Sequence, residues 1–425
     1  MNILFYIFTF FIAATAWSEE DPIVVRLSTE TQRIPLYLTH INDTNSGFDS
    51  SYAAKLEKVL QFDLDHNGMT YILKSSQEKE KQAAGFDQMP KAADWKAIGA
   101  FYIVKVQIQN KSLSARLLAS NAGSAKSIDG IALSGDLNND RKKIHKLADT
   151  IHKTLFGSDG VASTRILYTI KSSSTSKWAS EVWEADYDGQ NQRKIPAGNG
   201  YIVTPIYAPP KPGYTTGTFF FVSYTTGQPK IYYQKLGDNT PPHRLTLMKG
   251  NQLMPAISRQ RDKVAFISDI TGNPDLFILP FNSETGETGK PYQIFSTHLA
   301  TQGSPTFSPD GSQIAFVSNK DGSPRIYVMN VPSPGTSLKN IKASILTKRN
   351  KESSAPAWSP DGTKIAYCAV TQGVRQICVY DFVSREERQI TQGPGNKENP
   401  TWAPNSLHLL FNSSDAGSCN LYMIN

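Results

Sequence analysis

The sequence predicts an all-β six-bladed propeller at its C-terminal end, preceded by a small N-terminal mixed α/β domain. Two phrases are near copies: PTFSPDGSQIAFVS from Pro305 to Ser318 and PAWSPDGTKIAYCA from Pro356 to Ala369. Weaker copies begin at Pro205, Pro255 and Pro400, so that successive prolines stand 50, 50, 51 and 44 residues apart. A period of that size is that of propeller blades. Before Gly160 the pattern is instead an alternation of strands and amphipathic helices.

At the N-terminus, residues 3–14 carry almost no polar side chain and lead into Ala14-Thr15-Ala16. An apolar segment of that length before a small-residue cleavage site reads as a signal peptide over residues 1–16, with an uncleaved membrane anchor as the alternative. Beyond Ala16 no stretch is apolar for long enough to span a bilayer, so no stable membrane insertion is expected after cleavage.

Residues 17–158 read as the N-terminal domain. Strands are expected at 23–27, 34–38, 70–73, 101–109 and 112–118, and helices at 50–62 and 139–156. In the second helix Ile144, Leu147, Ala148, Ile151 and Leu155 recur at helical spacing and form one apolar stripe. Gly157 ends it and Ser158-Asp159-Gly160 serves as a linker.

Residues 159–425 read as the propeller. In each unit a Pro opens an inner strand, and a Ser-Pro-Asp-Gly turn reverses the chain, with Pro fixing φ and Gly accepting a positive φ. The second strand is almost wholly apolar, as at 264–267, 314–317 and 365–368, because blades face neighbours on both sides. A Gly turn leads to a third strand, as at 231–233, 276–279, 326–329 and 421–424. A more polar fourth run follows at 244–247, 343–347 and 388–391 and suits an outer edge. Residues 165–170, 182–186 and 193–195 make a further unit that lacks its Pro-led strand. Six units result, with 22 strands where six full blades have 24. Either the ring closes short or a C-terminal tail is missing.

The net charge of +7 comes wholly from the second part: residues 17–160 hold 18 Lys/Arg and 18 Asp/Glu, whereas residues 161–425 hold 26 and 19. The excess is scattered rather than striped, which argues against nucleic acid as a partner. Cys368, Cys378 and Cys419 are an odd set without zinc spacing, and Cys368 and Cys378 read as small buried residues.

Catalytic patterns are missing. No G-x-S-x-G elbow, Walker loop or dinucleotide glycine pattern occurs, and neither catalytic residues nor a cofactor is expected. Asp310 and Asp361 repeat as turn residues, not as a carboxylate pair. Asp63-Leu-Asp65-His-Asn67-Gly68 resembles the first half of a calcium loop, but Lys74 stands where the closing Glu belongs, so no metal is assigned. The seven histidines are dispersed, and His145 and His152 are expected at the surface or edge of their helix. Trp358 and Trp402 share the repeat position of Phe307, which favours blade-to-blade packing over a sugar platform. Tyr201 and Tyr214 are the better loop contact candidates.

The Ser-Pro-Asp-Gly repeats, the segment Val182-Trp-Glu-Ala-Asp-Tyr-Asp-Gly-Gln-Asn-Gln192 after Thr164-Arg165-Ile-Leu-Tyr168, and Trp95-Lys-Ala-Ile-Gly99 ahead of a strand together resemble the TolB family. The resemblance spans nearly the whole chain after residue 16. It implies a non-enzymatic periplasmic component of the Tol-Pal system, acting in outer-membrane integrity, with roles in cell division and protein import. The implied partners are a Pal-like peptidoglycan-associated lipoprotein at one mouth of the propeller and a TolA-like inner-membrane protein at the extreme N-terminal segment. The matching mouth positions are Asn251, Gln252, Leu253, Met254, Thr301, Gln302, Gly303, Ser304, Ser353, Ser354, Ala355, Glu398 and Asn399. Those of the N-terminal segment are Asp21, Pro22, Ile23, Val24, Val25, Arg26, Leu27 and Ser28, although their wording departs from the family's usual one. A propeller enzyme or a carbohydrate-binding protein working at the central channel is the alternative reading.

Overall fold

The central strands of the N-terminal domain carry consecutive apolar residues, as at Leu36-Tyr37-Leu38 and Ile103-Val104, so its sheet must be covered on both faces. The computed structural model describes residues 33–425 except 124, 172–178, 211–216, 238–239, 283–284, 288, 351 and 416; the signal segment, the strand at 23–27, the segment 21–28 and Tyr214 lie outside the described residues. Strands β1 (Ile34–Leu38), β2 (Asn42–Asn45), β3 (Thr70–Ile72), β4 (Tyr102–Gln109), β5 (Ser112–Ala119) and β6 (Lys126–Ala132) form one sheet in the order β3-β1-β4-β5-β6, with β2 paired to β4. β1 runs parallel to β3 and β4, and β5 is antiparallel to β4 and β6.

Helices α1 (Ser50–Asp65) and α4 (Leu137–Phe156) cover one face, where Leu56, Leu60, Ile144, Leu147 and Ile151 meet Leu36, Val104, Val106 and Leu113. The segment of α2 (Gln77–Gln82) and α3 (Ala92–Ile98) covers the other, through Ala83 and Ile98 against Tyr37, Ile103 and Leu118. Asp49 and Asp136 cap α1 and α4 by accepting the N–H of Tyr52 and Asn139 at 2.9 and 2.8 Å. Gly157 ends α4 with φ +74°, a conformation glycine adopts without strain. β2, β6, α2 and α3 escape the sequence reading because none carries an apolar stripe: β2 and β6 are mostly exposed, α2 buries nothing and α3 only Ile98.

Six antiparallel sheets follow. Blade 1 is Arg165–Lys171, Ser180–Asp186 and Arg193–Ile195, and blade 2 is Ile202–Tyr207, Thr218–Ser223, Lys230–Lys235 and His243–Arg244. Blade 3 has Leu253–Ile257, Lys263–Ser268, Asp275–Asn282 and Tyr292–Phe295, with the short pair Gly286–Glu287 added beyond the expected count. Blade 4 is Gln302–Phe307, Gln313–Ser318, Arg325–Asn330 and Ser344–Ile345; blade 5 is Ser353–Trp358, Lys364–Thr371, Val374–Asp381 and Glu386–Gln389. Blade 6 is Asn396–Trp402, Leu409–Asp415 and Ser418–Ile424. Phe220, Phe266, Phe316 and Tyr367, all on second strands, are fully buried and supply the bulk between blades.

The repeat turns behave as their chemistry demands. Ser308 Oγ donates to Asp310 at 2.5 Å and accepts the Gln313 N–H at 2.9 Å, and Ser359 does the same with Asp361 and Lys364. These bonds hold the Asp310 carboxyl down at about 2 and lower that of Asp361 against its burial. The inner-strand prolines, however, do not open their strands. Each sits inside one, at a bulge where the register shifts, because a residue with no N–H is tolerated only where the ladder is interrupted.

The ring meets itself between two three-stranded blades. Leu421 and Met423 of blade 6 share one apolar cluster with Ile166, Tyr168 and Tyr187 of the blade 1 region and with α1 and α4. The N-terminal domain thus packs across the junction. His408 Nε2 lies 2.9 Å from the His66 carbonyl oxygen, and a Cβ at Gly68 would stand 3.1 Å from Asn425 Nδ2 and 3.2 Å from the His408 ring. His145 and His152, expected at the helix surface, are buried instead. The buried face of α4 is wider than its apolar stripe because it serves both the sheet and blade 1. Cys368 and Cys378 are free and buried; Cys368 pairs in register with Ile377, so the two side chains point to opposite faces of blade 5.

Candidate functional site

The residue before each inner-strand proline takes a left-handed conformation: Thr204, Met254, Ser304, Ala355 and Asn399 have φ of 49°, 52°, 44°, 48° and 54°. None is glycine, so each position costs on the order of 1 kcal/mol. The inner strands of blades 2 to 6 stand side by side around the axis. Five bulges therefore ring the channel near one mouth, and those of blades 3 and 4 touch: the Ser304 N–H donates to Met254 Sδ at 3.1 Å.

The loops entering these strands are held from beneath. Lys230 Nζ donates to the Gly250 carbonyl, and Arg325 Nη1 donates to those of Thr347 and Asn350. Lys397 Nζ donates to the carbonyls of Gly393, Pro394 and Gly395. Burial pushes the ammonium pKa of both Lys230 and Lys397 down. In blade 3 the Asp275 carboxylate is buried and accepts from Thr271 Oγ1 and Gln293 Nε2, each at 2.7 Å. The turns after the second strands, and Arg375 at the start of the third strand of blade 5, brace the same loops. Asn251 donates through its backbone N–H and Nδ2 to Asp269 at 2.7 and 2.6 Å, the Thr301 N–H donates to Asn319 Oδ1 at 2.7 Å, and Arg375 pairs with Glu398 at 2.5 Å.

The sequence-derived mouth positions accordingly divide in two. Gln252, Gln302 and Ser353 are buried and face the blade interior, where Gln302 accepts from Ser318 Oγ at 2.9 Å. Leu253, Gly303, Ser304, Ser354 and Ala355 are half-buried along the bulges, while Met254, Thr301 and Asn399 are exposed. Asn251 and Glu398 are half-buried and held by Asp269 and Arg375. Sequence reading missed the apolar tips beside them. Leu247 and Leu299, in the loops into blades 3 and 4, are 81% and 83% exposed, and Ile270, in the turn against Gly250, is 43% exposed. With Met254 at 40%, these side chains give one mouth an apolar rim on a fixed frame.

The opposite mouth is cross-tied. Arg259 Nη1 of blade 3 donates to the Pro360 carbonyl of blade 5 at 3.1 Å, Gln260 Nε2 donates to that of Pro309 at 3.0 Å, and the Asp361 N–H donates to Ser406 Oγ at 3.0 Å. Trp402 Nε1 donates to the Ala357 carbonyl at 3.0 Å, and Trp358 stacks on Phe382, so both indoles pack within and between blades. The half calcium loop is taken apart by its own helix. Asp65 Oδ1 accepts the Ile72 N–H, Asn67 Oδ1 accepts those of Met69 and Thr70, and Asp63 turns toward α4.

Comparison with known proteins matches the TolB amino-terminal domain over residues 25–120 and the TolB beta propeller domain over residues 152–344 and 336–425. The chain is 55% identical over 386 residues to the TolB homologue of Protochlamydia amoebophila, covering 90% of this chain and 82% of that one. It is 35% identical over 426 residues to the TolB homologue of Chlamydia pneumoniae, covering 100% of this chain and 91% of that one. The crystal structure of TolB from Acinetobacter baumannii superposes with a TM-score of 0.72 at 21% identity, over 92% of this chain and 91% of that one.

Proposed function

Because the chain belongs to the TolB family, we propose that it is a periplasmic adaptor that binds a Pal-like peptidoglycan-associated lipoprotein at the mouth rimmed by Leu247, Met254, Ile270 and Leu299, and a TolA-like inner-membrane protein through residues 21–28. The observation that carries this reading is the contrast within that mouth. Its backbone loops are tied by buried cations and carboxylates, while its apolar tips face solvent. A fixed frame lowers the ordering cost of association, and an exposed apolar rim supplies contact area.

In this reading residues 1–16 are removed on export, residues 17–158 form the N-terminal domain and residues 159–425 the propeller. The protein does no chemistry of its own and contributes to outer-membrane integrity by linking partners. Affinity purification from envelopes is the test. The intact chain is expected to recover both a peptidoglycan-associated lipoprotein and an inner-membrane partner, and a chain lacking residues 21–28 only the former. Recovery of neither by the intact chain overturns the proposal.

A further inference from the structure

Where α4 meets blade 1, away from the apolar rim, a group of ionisable side chains is buried. His145 is 2% exposed; its Nδ1 lies 2.8 Å from Asp63 Oδ2, and Tyr187 Oη donates to Asp63 Oδ1 at 2.9 Å. The other ring nitrogen, Nε2, is buried without a hydrogen-bond partner. It faces the turn that follows the second strand of blade 1, where Asp186 Oδ2 is 3.8 Å away, too far for a hydrogen bond. His145 Nε2 and one oxygen each of Asp186 and Asp188 lie within 4.8 Å of one another.

Charge points the same way. Asp63, Asp186 and Asp188 are three largely buried carboxylates, whereas the guanidinium beside them is that of Arg141, paired to Asp188. Asn191 Nδ2 donates to Asp186 at 2.6 Å and the Gln190 N–H to Asp188 at 3.1 Å, but neither brings charge. With a neutral imidazole the group is left with excess negative charge in a poorly solvated place, which is costly.

We propose that His145 Nε2 and the carboxylates of Asp186 and Asp188 bind one divalent transition-metal ion of the zinc class, which fastens α4 to blade 1. One imidazole with two carboxylates suits such an ion, whereas calcium takes oxygen ligands only. Asp63 then acts as the outer carboxylate that keeps the proton on Nδ1 and turns Nε2 to the metal. Metal bonds of about 2.0–2.2 Å place tetrahedral ligands roughly 3.3–3.5 Å apart, a modest closure of the two aspartates. The competing occupant of the same space is a proton on Nε2. Burial opposes charging His145, but the bond to Asp63 and the charges of Asp63, Asp188 and Asp186 outweigh it and raise its pKa.

The test uses the tag-free chain, stripped with chelator and titrated calorimetrically with Zn²⁺ near neutral pH, with Co²⁺ as a spectroscopic probe. The proposal predicts one ion per chain, visible Co²⁺ bands of a nitrogen and oxygen site, and a rise in Tm on adding one equivalent of Zn²⁺. His145→Gln and Asp188→Asn each weaken binding at least 100-fold, and Asp63→Asn about 10-fold. Because the wild-type stoichiometry and spectrum do not depend on any variant folding, the proposal stays falsifiable. It is overturned if the wild type shows no saturable binding, if His145→Gln binds as the wild type does, or if the His145 ring titrates as an imidazolium unmoved by Zn²⁺.

Discussion

At the scale of single residues, the mouth depends on positions where backbone and neighbours leave one solution. Gly250 has φ +76°, and a Cβ there would meet Asp269 Oδ1 at 2.7 Å and the Ile270 backbone nitrogen at 3.0 Å. Gly250→Ala is therefore expected to cost about 2 kcal/mol and to loosen Asn251 and Met254, seen as a lower Tm and faster amide exchange in that loop. His408 makes a prediction about pH. Burial is the main cause that brings its pKa down from 6.5 to about 4, the His66 carbonyl offsetting part of this and the charges of His152 and His66 adding to it. The unfolded chain then takes up the proton first as pH falls. The stability linked to His408 is full above pH 6.5 and is lost between 6.5 and about 4, by up to about 3 kcal/mol. Because His145 contributes with the opposite sign, the measurement is the difference in urea unfolding between wild type and His408→Gln at each pH, and the variant is expected to show the shallower acid slope. What was legible at this scale was what is local. Ser308, Asp310 and Gly311 announce their turn because its hydrogen bonds close within five residues. Met254 and Ser304 do not announce their bulges, because a bulge is defined by the partner strand.

At the scale of elements, the second strand of each blade carries the packing, and the fourth carries little except in blade 3, whose Ile294 and Phe295 are buried. Phe316 is fully buried between Phe295 and Tyr327, whereas Ile345 on the outer strand of the same blade is 37% exposed. Phe316→Ala is expected to cost about 3–5 kcal/mol and Ile345→Ala less than about 1, measured as shifts in the urea midpoint of the whole chain. The same contrast explains which elements could be read beforehand. Continuous apolar runs such as 314–317 and the stripe of α4 are visible because burial on two faces, or on one helical face, leaves a period in the sequence. β6 and α2 had no period to show. His145 and His152 were misplaced for a related reason, since polar side chains on a buried face are invisible to a hydrophobic pattern until their partners, here Asp63 and Ser158, are known.

At the scale of the whole molecule, the junction of the ring and the mouth of the channel are separate devices. The junction joins two three-stranded blades through the cluster containing Met423, Ile166 and Tyr187, with α1 and α4 closing it from the N-terminal domain. No strand count in the sequence discloses that closure, because among the described residues it is made by packing rather than by pairing. The mouth lies at the other end of the blades, where the five bulges of blades 2 to 6 gather and the exposed Leu247, Met254, Ile270 and Leu299 belong to blades 3 and 4 and their loops. The proposed docking of a Pal-like lipoprotein at this rim is tested by calorimetric titration of that lipoprotein's soluble domain into the purified protein. A charge placed in an apolar contact weakens it strongly, so Met254→Glu and Leu299→Glu are each expected to raise Kd at least 10-fold. Val383→Glu changes a residue as exposed as Leu299, at 82%, in the turn after the third strand of blade 5 and so at the opposite end; it is expected to leave Kd unchanged. Equal binding by all three variants, or loss confined to Val383→Glu, would rule out docking at this rim.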